Sequence, residues 1–185
     1  MDCWLISSAA AARLPAHCRF SILLLMAHPP LLGSHMSIAG GVHTAFARGI
    51  RTGCTTMQVF VKNSNQWTAR AAGKPEVDLY KSAASAAGID PVVAHASYLI
   101  NLCAVNPATL QRSRDAYVDE LQRCAAFGIA ALIFHPGAHM GSGEAEGIKL
   151  VAESLNIVHT RTPGVPTCTT LECTAGQGTA LGYRF

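Results

Sequence analysis

Three side chains of types that bind zinc occur at matching positions along the chain. His95, His135 and Glu172 each directly follow a short apolar or β-branched run that is typical of a buried strand. The carboxyl ends of parallel strands open on one face of a barrel, so these three side chains are expected to converge there. Two imidazoles and a carboxylate form a ligand set for zinc that leaves a position for water or substrate. A single histidine at a strand end more often makes a structural hydrogen bond, so the prediction rests on the three together.

Polar residues also follow the two preceding strands of the same pattern. His35 comes after the first apolar stretch, and residues 63–66 come after the second. In a parallel barrel these residues lie on the same face as the three candidate ligands. We therefore expect this face to hold the functional site.

The apolar periodicity predicts short strands that alternate with helices, with one strand about every 30 residues. The predicted strands are a stretch that ends at His35 and residues 56–61, 91–94, 129–134 and 167–171. The predicted helices are residues 39–52, around a Gly40-Gly41 turn, 76–87, 107–127 and 144–160. This alternation is typical of successive βα units around a parallel sheet, so the fold class is α/β.

Four such units and a fifth strand occupy the region from Gly33 onward. A closed (β/α)8 TIM barrel takes about 250 residues, so residues 33–185 correspond to a barrel truncated to about its first four and a half units. The alternative is a complete open α/β sheet. Most nucleotide-binding versions of that fold need a G-x-G-x-x-G or GxxxxGK[ST] loop, and the sequence contains neither.

The composition is that of a globular protein. Half of the 185 residues are hydrophobic, 14% are charged and the mean hydropathy is +0.26. This excludes disordered, coiled-coil and collagenous chains. No apolar run reaches the roughly 18–20 residues of a membrane span, so no membrane association is expected. Seven cysteines occur without a C-x-x-C motif, which predicts reduced intracellular thiols.

Charge is distributed unevenly along the chain. Residues 1–75 contain seven basic residues and one acidic residue, Asp2, whereas residues 76–185 contain seven basic and ten acidic residues. The basic first part is compatible with a polyanionic partner, and equally with a basic leader followed by a few solvated lysines. Residues 1–32 are interpreted as a leader or transit-like extension, or as translated upstream sequence. Mitochondrion, nucleus and cytoplasm remain alternative locations.

Six segments resemble the endonuclease IV family, zinc-dependent apurinic/apyrimidinic endonucleases of base excision repair. They are GSHMSIAGG (33–41), VFVKNSNQW (59–67), HASYLINL (95–102), SRDAYVDELQRC (113–124), FHPGAH (134–139) and LECTAGQG (171–178). The resemblance runs from about Leu32 to Phe185 in the right order and spacing, and corresponds to the N-terminal part of the family's barrel. It implies a TIM barrel that holds a cluster of three zinc ions.

The resemblance also implies roles for the three candidate ligands. His95 and His135 match ligands of the first zinc, and Glu172 matches the carboxylate that bridges the first zinc to the second. Glu172 is therefore the candidate catalytic residue. The family's remaining ligands lie on its sixth to eighth βα units, beyond Phe185. At most the first zinc's ligand set is expected here.

Five residues are candidate DNA contacts by the same resemblance. Tyr98 matches a residue of a loop that penetrates DNA at the lesion. Asn65 and Gln66 lie in a second recognition loop, where the family usually has an arginine at the position of Asn65. His35 matches a residue of a further DNA-facing loop, and Lys62 is a candidate phosphate contact. Two other departures from the family pattern have no assigned effect: Cys173 stands where asparagine is common, and Ala138 where serine is common.

The implied activity is hydrolysis of the phosphodiester 5′ to an abasic site in double-stranded DNA, by a protein that is a monomer when intact. Preference among abasic sites, 3′ ends and oxidised bases stays open. The 185-residue chain is expected to have little or no nuclease activity, and two open strand edges are expected to favour aggregation. Two alternatives remain: a sugar isomerase or epimerase with the same metal-dependent barrel, and a non-catalytic, truncated DNA-binding remnant.

Overall fold

The computed structural model of the chain describes residues 30–184. Four strands alternate with four helices along this part of the chain. The strands are β1 (Met57–Val59), β2 (Val92–His95), β3 (Ala131–Phe134) and β4 (Cys168–Leu171). The helices are α1 (Thr44–Arg51), α2 (Lys74–Ala87), α3 (Pro107–Phe127) and α4 (Glu144–Arg161). The predicted leader falls almost wholly outside the described residues.

The four strands form one parallel sheet in the order β1-β2-β3-β4. Strands that are consecutive in sequence are neighbours in space, and each pair is connected through a helix. This order is that of a partial α/β barrel, so the predicted fold class is confirmed. The first predicted strand is reduced to one parallel bridge between His35 and Gln58.

Helix α3 has the bounds that its sequence predicts, because both of its ends carry strong signals. The side chain of Asn106 accepts hydrogen bonds from the N–H groups of Ala108 and Thr109, which satisfies two otherwise free helix donors. Gly128 ends the helix in the left-handed conformation, with φ of 83°. Helix α1 instead starts five residues later than predicted. Gly40 and Gly41 have φ of 90° and 118° and form the turn before it.

The core lies between the sheet and the helices. Val59, Ala94 and Leu132 of the sheet are fully buried, and Tyr117 and Leu121 of α3 pack in the same cluster. The partly polar α3 is the helix with the most buried residues, among them Ser113, Glu120 and Arg123. Because those polar side chains are buried, they need partners, and α3 connects to the loops at the end of the sheet through them.

The outer strand β4 is much less covered than the others. Three of its four residues are exposed, and within residues 30–184 no strand pairs with its outer edge.

Five cysteines lie in this part of the chain and all are free thiols. No helix among the described residues has the length and apolar character that a membrane span needs.

Candidate metal centre

The three candidate ligands meet because their strands are neighbours in register. His95 is the last residue of β2, while His135 and Glu172 directly follow β3 and β4. Phe134 pairs with Leu171 across the β3–β4 ladder, and the N–H of Glu172 donates to the carbonyl of Phe134 at 3.0 Å. The backbone therefore places the three side chains at the same end of the sheet.

The ligand atoms of His95, His135 and Glu172 all lie within 4.8 Å of one another. Glu172 Oε2 is 2.9 Å from His95 Nε2 and 3.2 Å from His135 Nε2. The His95 side chain is 4% exposed, whereas those of His135 and Glu172 are each 45% exposed. The centre is thus closed on the side of β2 and open on the side of β3 and β4.

The second ring nitrogen of His95 determines which atom is available for a metal. His95 Nδ1 lies 2.7 Å from the carbonyl oxygen of Ala96, so Nδ1 carries the hydrogen and donates it. Nε2 of a neutral ring then presents a lone pair toward the carboxylate of Glu172, which also presents a lone pair. Two acceptors at 2.9 Å need a cation or a proton between them. A bound metal ion satisfies both, so the residues present fit a zinc ion.

A cavity of about 340 Å³ opens beside the ligands. Its walls come from the segments that follow β2, β3 and β4, and include Tyr98, Asn101, Gly137, Thr174 and Gln177. A pocket that contacts two metal ligands and is lined by three strand-end loops can hold a substrate against the centre.

His35 is partly buried and packs beside the metal ligands. Its ring centroid is 4.4 Å from that of Phe60 and 6.4 Å from that of His95. Its Nδ1 is 3.0 Å from the side-chain nitrogen of Gln58. Its Nε2 is buried without a hydrogen-bond partner among the described residues. Burial, and secondarily the nearby His95, lower the pKa of His35.

The predicted DNA-facing residues Tyr98, Asn65 and Gln66 are exposed. Tyr98 is 63% exposed, and its ring centroid lies 5.3 Å from that of His95 and 5.9 Å from that of His135. Asn65 donates its backbone N–H to the side chain of Asn63. Tyr98 is thus a neighbour of the metal centre, while Asn65 and Gln66 occupy the loop after β1.

Lys62 is not placed as a phosphate contact requires. Its side chain is 2% exposed, and Nζ lies 3.2 Å from carboxylate oxygens of both Asp119 and Glu120. Nζ also donates to the carbonyl of Trp67 at 3.0 Å. This placement corrects the expectation of a DNA phosphate contact, because the charge is buried and already paired within the protein.

Asn101 is a residue of the site that the sequence patterns do not single out. Its Oδ1 accepts the backbone N–H groups of Cys103 and Ala138, and its Nδ2 donates to the carbonyl of Ala138. It therefore joins the loop after β2 to the loop that carries His135. In the sequence, the only hint of this contact is that residue 137 is a glycine. The structure gives the reason, because a Cβ atom at Gly137 would lie 2.1 Å from Asn101 Oδ1.

Residues 46–185 match the protein family described as "Xylose isomerase-like TIM barrel". The chain belongs to this family. Within the family it is similar to bacterial proteins named "Probable endonuclease 4". The protein of Citrifermentans bemidjiense is 44% identical over 155 residues, covering 84% of this chain and 55% of the relative. That of Chloroflexus aurantiacus is 47% identical over 156 residues, with the same two coverages.

Solved structures agree with this placement in the family. Endonuclease IV from Thermus thermophilus is 31% identical with a TM-score of 0.68, and the match covers 83% of this chain and 55% of that one. The predicted resemblance to the endonuclease IV family is thereby confirmed. A D-psicose 3-epimerase matches with a TM-score of 0.58 at 14% identity, over 76% of this chain and 51% of that one, which shows a shared fold alone. The chain spans about half the length of the curated relatives it matches.

Proposed function

We propose that the intact protein is a zinc-dependent DNA repair endonuclease that cleaves the phosphodiester 5′ to abasic sites in double-stranded DNA. The observation that carries this proposal is the convergence of His95, His135 and Glu172 within 4.8 Å at three consecutive strand ends. The identity of 44–47% to relatives named endonuclease 4 supports the choice of substrate class. An intracellular location suits both a DNA substrate and free thiols.

His95, His135 and Glu172 are the residues that would hold the first zinc ion. Zinc in such a site lowers the pKa of a coordinated water toward neutrality, so that hydroxide is supplied for hydrolysis. The protein orients the donors: the carbonyl of Ala96 holds the His95 ring with Nε2 facing Glu172, and the β3 backbone holds Glu172. Glu172 Oε2 faces both histidines and is the proposed shared carboxylate at the reacting centre.

Tyr98, Asn65, Gln66 and His35 remain the proposed DNA-binding residues. Tyr98 exposes an aromatic ring next to the ligands, where it can stack on or wedge beside the bases that flank the lesion. An abasic nucleotide leaves the helix at low cost because it has no base to unstack. The cavity of about 340 Å³ beside the ligands is the proposed place for it.

The described residues contain a single three-residue metal-ligand group. The second and third zinc ions implied for an intact enzyme need further ligands. We therefore propose that the 185-residue chain has little or no nuclease activity by itself, while it retains the ligands of the first site. Cleavage of abasic DNA by this chain at the rate of an intact enzyme would contradict that proposal.

A metal-affinity measurement tests the site directly. Glu172→Gln removes the carboxylate while keeping its shape. Loss of an outer partner of a ligand already costs about 10–100-fold in metal affinity, so loss of the ligand is expected to cost at least about 100-fold. Zinc affinity is measured by competition with a chromophoric chelator. Glu146→Gln, which changes an exposed carboxylate on α4, is the matched control and is expected to leave the affinity unchanged.

A substrate comparison separates the proposed function from its alternatives. The probes are a duplex with one tetrahydrofuran abasic analogue, the same duplex undamaged, and D-fructose as a representative ketose. Preferential binding of the abasic duplex supports the proposal. Binding of the ketose alone would favour a sugar isomerase or epimerase. Equal, weak binding of both duplexes by a chain that does not bind zinc would favour a non-catalytic DNA-binding remnant.

A further inference from the structure

Four charged side chains meet where helix α3 passes beneath the loops that follow β1 and β2. We call Lys62, Asp119, Glu120 and Arg123 the α3 charge cluster. Three of them are buried, with side-chain exposures of 2% for Lys62, 1% for Glu120 and 5% for Arg123, and Asp119 is 33% exposed. The cluster contains two positive and two negative charges, so it is neutral as a set.

One half of the cluster holds the loop after β1. Lys62 Nζ donates to the carbonyl of Trp67 at 3.0 Å. The guanidinium of Arg123 donates to the carbonyls of Ala69 and Arg70 at 3.0 and 2.6 Å, and to Asp119 at 2.9 Å. Three backbone carbonyls within residues 67–70 are therefore tied to α3 by cations.

The other half of the cluster holds the start of the loop after β2. Glu120 Oε2 accepts the backbone N–H of Ser97 at 3.0 Å. Its other oxygen, Oε1, lies 3.2 Å from Lys62 Nζ, at ion-pair distance but without hydrogen-bond alignment. The hydroxyl of Ser97 donates in turn to the carbonyl of Ser64. Ser97 directly precedes Tyr98, so the same contacts reach both loops.

Stability alone does not explain these charges. Desolvation of buried ions costs several kcal/mol each, and apolar side chains of similar volume often stabilise a fold as well or better. Burial disfavours the charged form of Glu120 and raises its pKa, and Lys62 opposes this shift. What an apolar replacement cannot supply is the set of directional bonds to the backbone of Trp67, Ala69, Arg70 and Ser97.

We propose that the α3 charge cluster is a clamp that fixes the loop of residues 63–70 and the Ser97–Tyr98 segment relative to one another. Lys62 and Glu120 are then positioning residues that present Asn65, Gln66 and Tyr98 as one surface for duplex DNA. The part of this inference that concerns DNA rests on the proposed function. The mechanical coupling of the two loops does not.

Tryptophan fluorescence tests the coupling without DNA. Trp4→Phe makes Trp67 the single tryptophan of the full chain. Glu120→Gln is then introduced, because Glu120 contacts the Trp67 loop through Lys62 and, by way of Ser97, through Ser64, and does not touch Trp67 itself. Acrylamide is expected to quench Trp67 about twofold more efficiently in this variant, since the loop opens when one charged, buried contact is lost. The control is Lys74→Met, which breaks the exposed Lys74–Asp78 pair on α2 and is expected to change nothing.

Binding measurements on the same variants test the consequence for DNA. Glu120→Gln is expected to weaken binding of the abasic-analogue duplex about tenfold, the size expected when a buried contact between charged groups is lost. Zinc affinity is expected to stay within about twofold of the parent, because no cluster residue contacts the metal ligands' donor atoms. A merely structural defect would lower both affinities together.

Several results would overturn the clamp. Unchanged Trp67 quenching in folded Glu120→Gln protein would show that the two loops are not coupled. If Glu120→Gln lowers the affinities for zinc and DNA together, the cluster supports the fold in general and does not position the DNA-binding loops. If Glu120→Gln does not fold, Ser97→Ala is measured by the same quenching assay. This substitution removes the hydroxyl contacts to Ser64 and to the N–H of Leu99. If the parent does not bind abasic DNA at all, the proposed function fails, and the quenching result still decides the clamp.

Discussion

At the scale of single residues, the environment of a side chain decides what its chemistry can be. Glu120 and Glu172 carry the same carboxylate, yet Glu120 is buried on α3 and paired with Lys62, while Glu172 is half exposed and faces His95 and His135. Lys62 has the residue type of a phosphate contact, but its ammonium group is already paired with Asp119 and donates to the carbonyl of Trp67. Residue type therefore indicates a range of roles, and burial together with neighbours selects one of them.

Gly137 offers a residue-scale prediction about the loop that carries His135. Gly137→Ala is expected to destabilise the protein by about 1–3 kcal/mol, because φ is +109° and the new Cβ would lie 2.1 Å from Asn101 Oδ1. It is also expected to weaken zinc binding, since Asn101 orders the segment after His135. Urea denaturation and chelator competition measure the two effects.

Gly141→Ala is the matched control for Gly137→Ala. Gly141 lies in the same loop with φ of +95°, and a Cβ there meets nothing within 4 Å. Its substitution is expected to show the backbone cost alone and to leave zinc affinity unchanged. Equal effects of the two substitutions would contradict a positioning role for Asn101.

At the scale of elements, the ends of helices and strands follow local signals where these are strong. Helix α3 has its predicted bounds, residues 107–127. The structure shows why: the Asn106 cap, Pro107 and the left-handed Gly128 each act within one turn. The first predicted strand lacks such signals and is a single bridge at His35. Strand β1 is likewise shorter than its β-branched run, because pairing with β2 ends after Val59.

Asn106 offers an element-scale prediction. Asn106→Ala is expected to lower the free energy of unfolding by about 1 kcal/mol, because the N–H groups of Ala108 and Thr109 lose their acceptor. Asn156→Ala makes the same chemical change at an exposed position inside α4. There it is expected to be neutral or slightly stabilising, since alanine is the better helix former. Urea denaturation compares the two, and equal destabilisation would contradict a capping role.

At the scale of the whole molecule, the site exists only because three parallel strands are neighbours in sequence order. The described residues carry one metal-ligand group at one end of this sheet, and β4 has an outer edge without a strand partner among them. Such an edge is a template for further pairing. The chain spans about half the length of its curated relatives, which agrees with the partial barrel.

The buried ionisable groups predict a loss of stability at alkaline pH. Burial raises the pKa of Tyr80, Tyr117 and Cys124, and raises the pKa of Cys103 to about 11. Unfolding returns each group to its ordinary pKa of 9.0 for cysteine or 10.0 for tyrosine. The unfolded chain therefore releases protons first, and stability is full below pH 9 and falls as pH rises from there.

Guanidinium denaturation at pH 8, 9.5 and 10.5 measures this effect. The free energy of unfolding is expected to decrease across the series. A value that stays constant from pH 8 to 10.5 would show that these side chains ionise as readily in the folded protein as in the unfolded one.

The sequence by itself determined the alternation of strands and helices, the bounds of α3 and the positions of His95, His135 and Glu172 at strand ends. These depend on hydrophobic period and helix caps, which act over a few residues. Only the tertiary structure decided that Lys62 is an internal cation, that Asn101 joins two loops and that His35 packs beside His95. Those roles depend on contacts between residues 23 to 60 positions apart in the chain. Such contacts cannot be inferred from local sequence patterns, which extend over only a few residues.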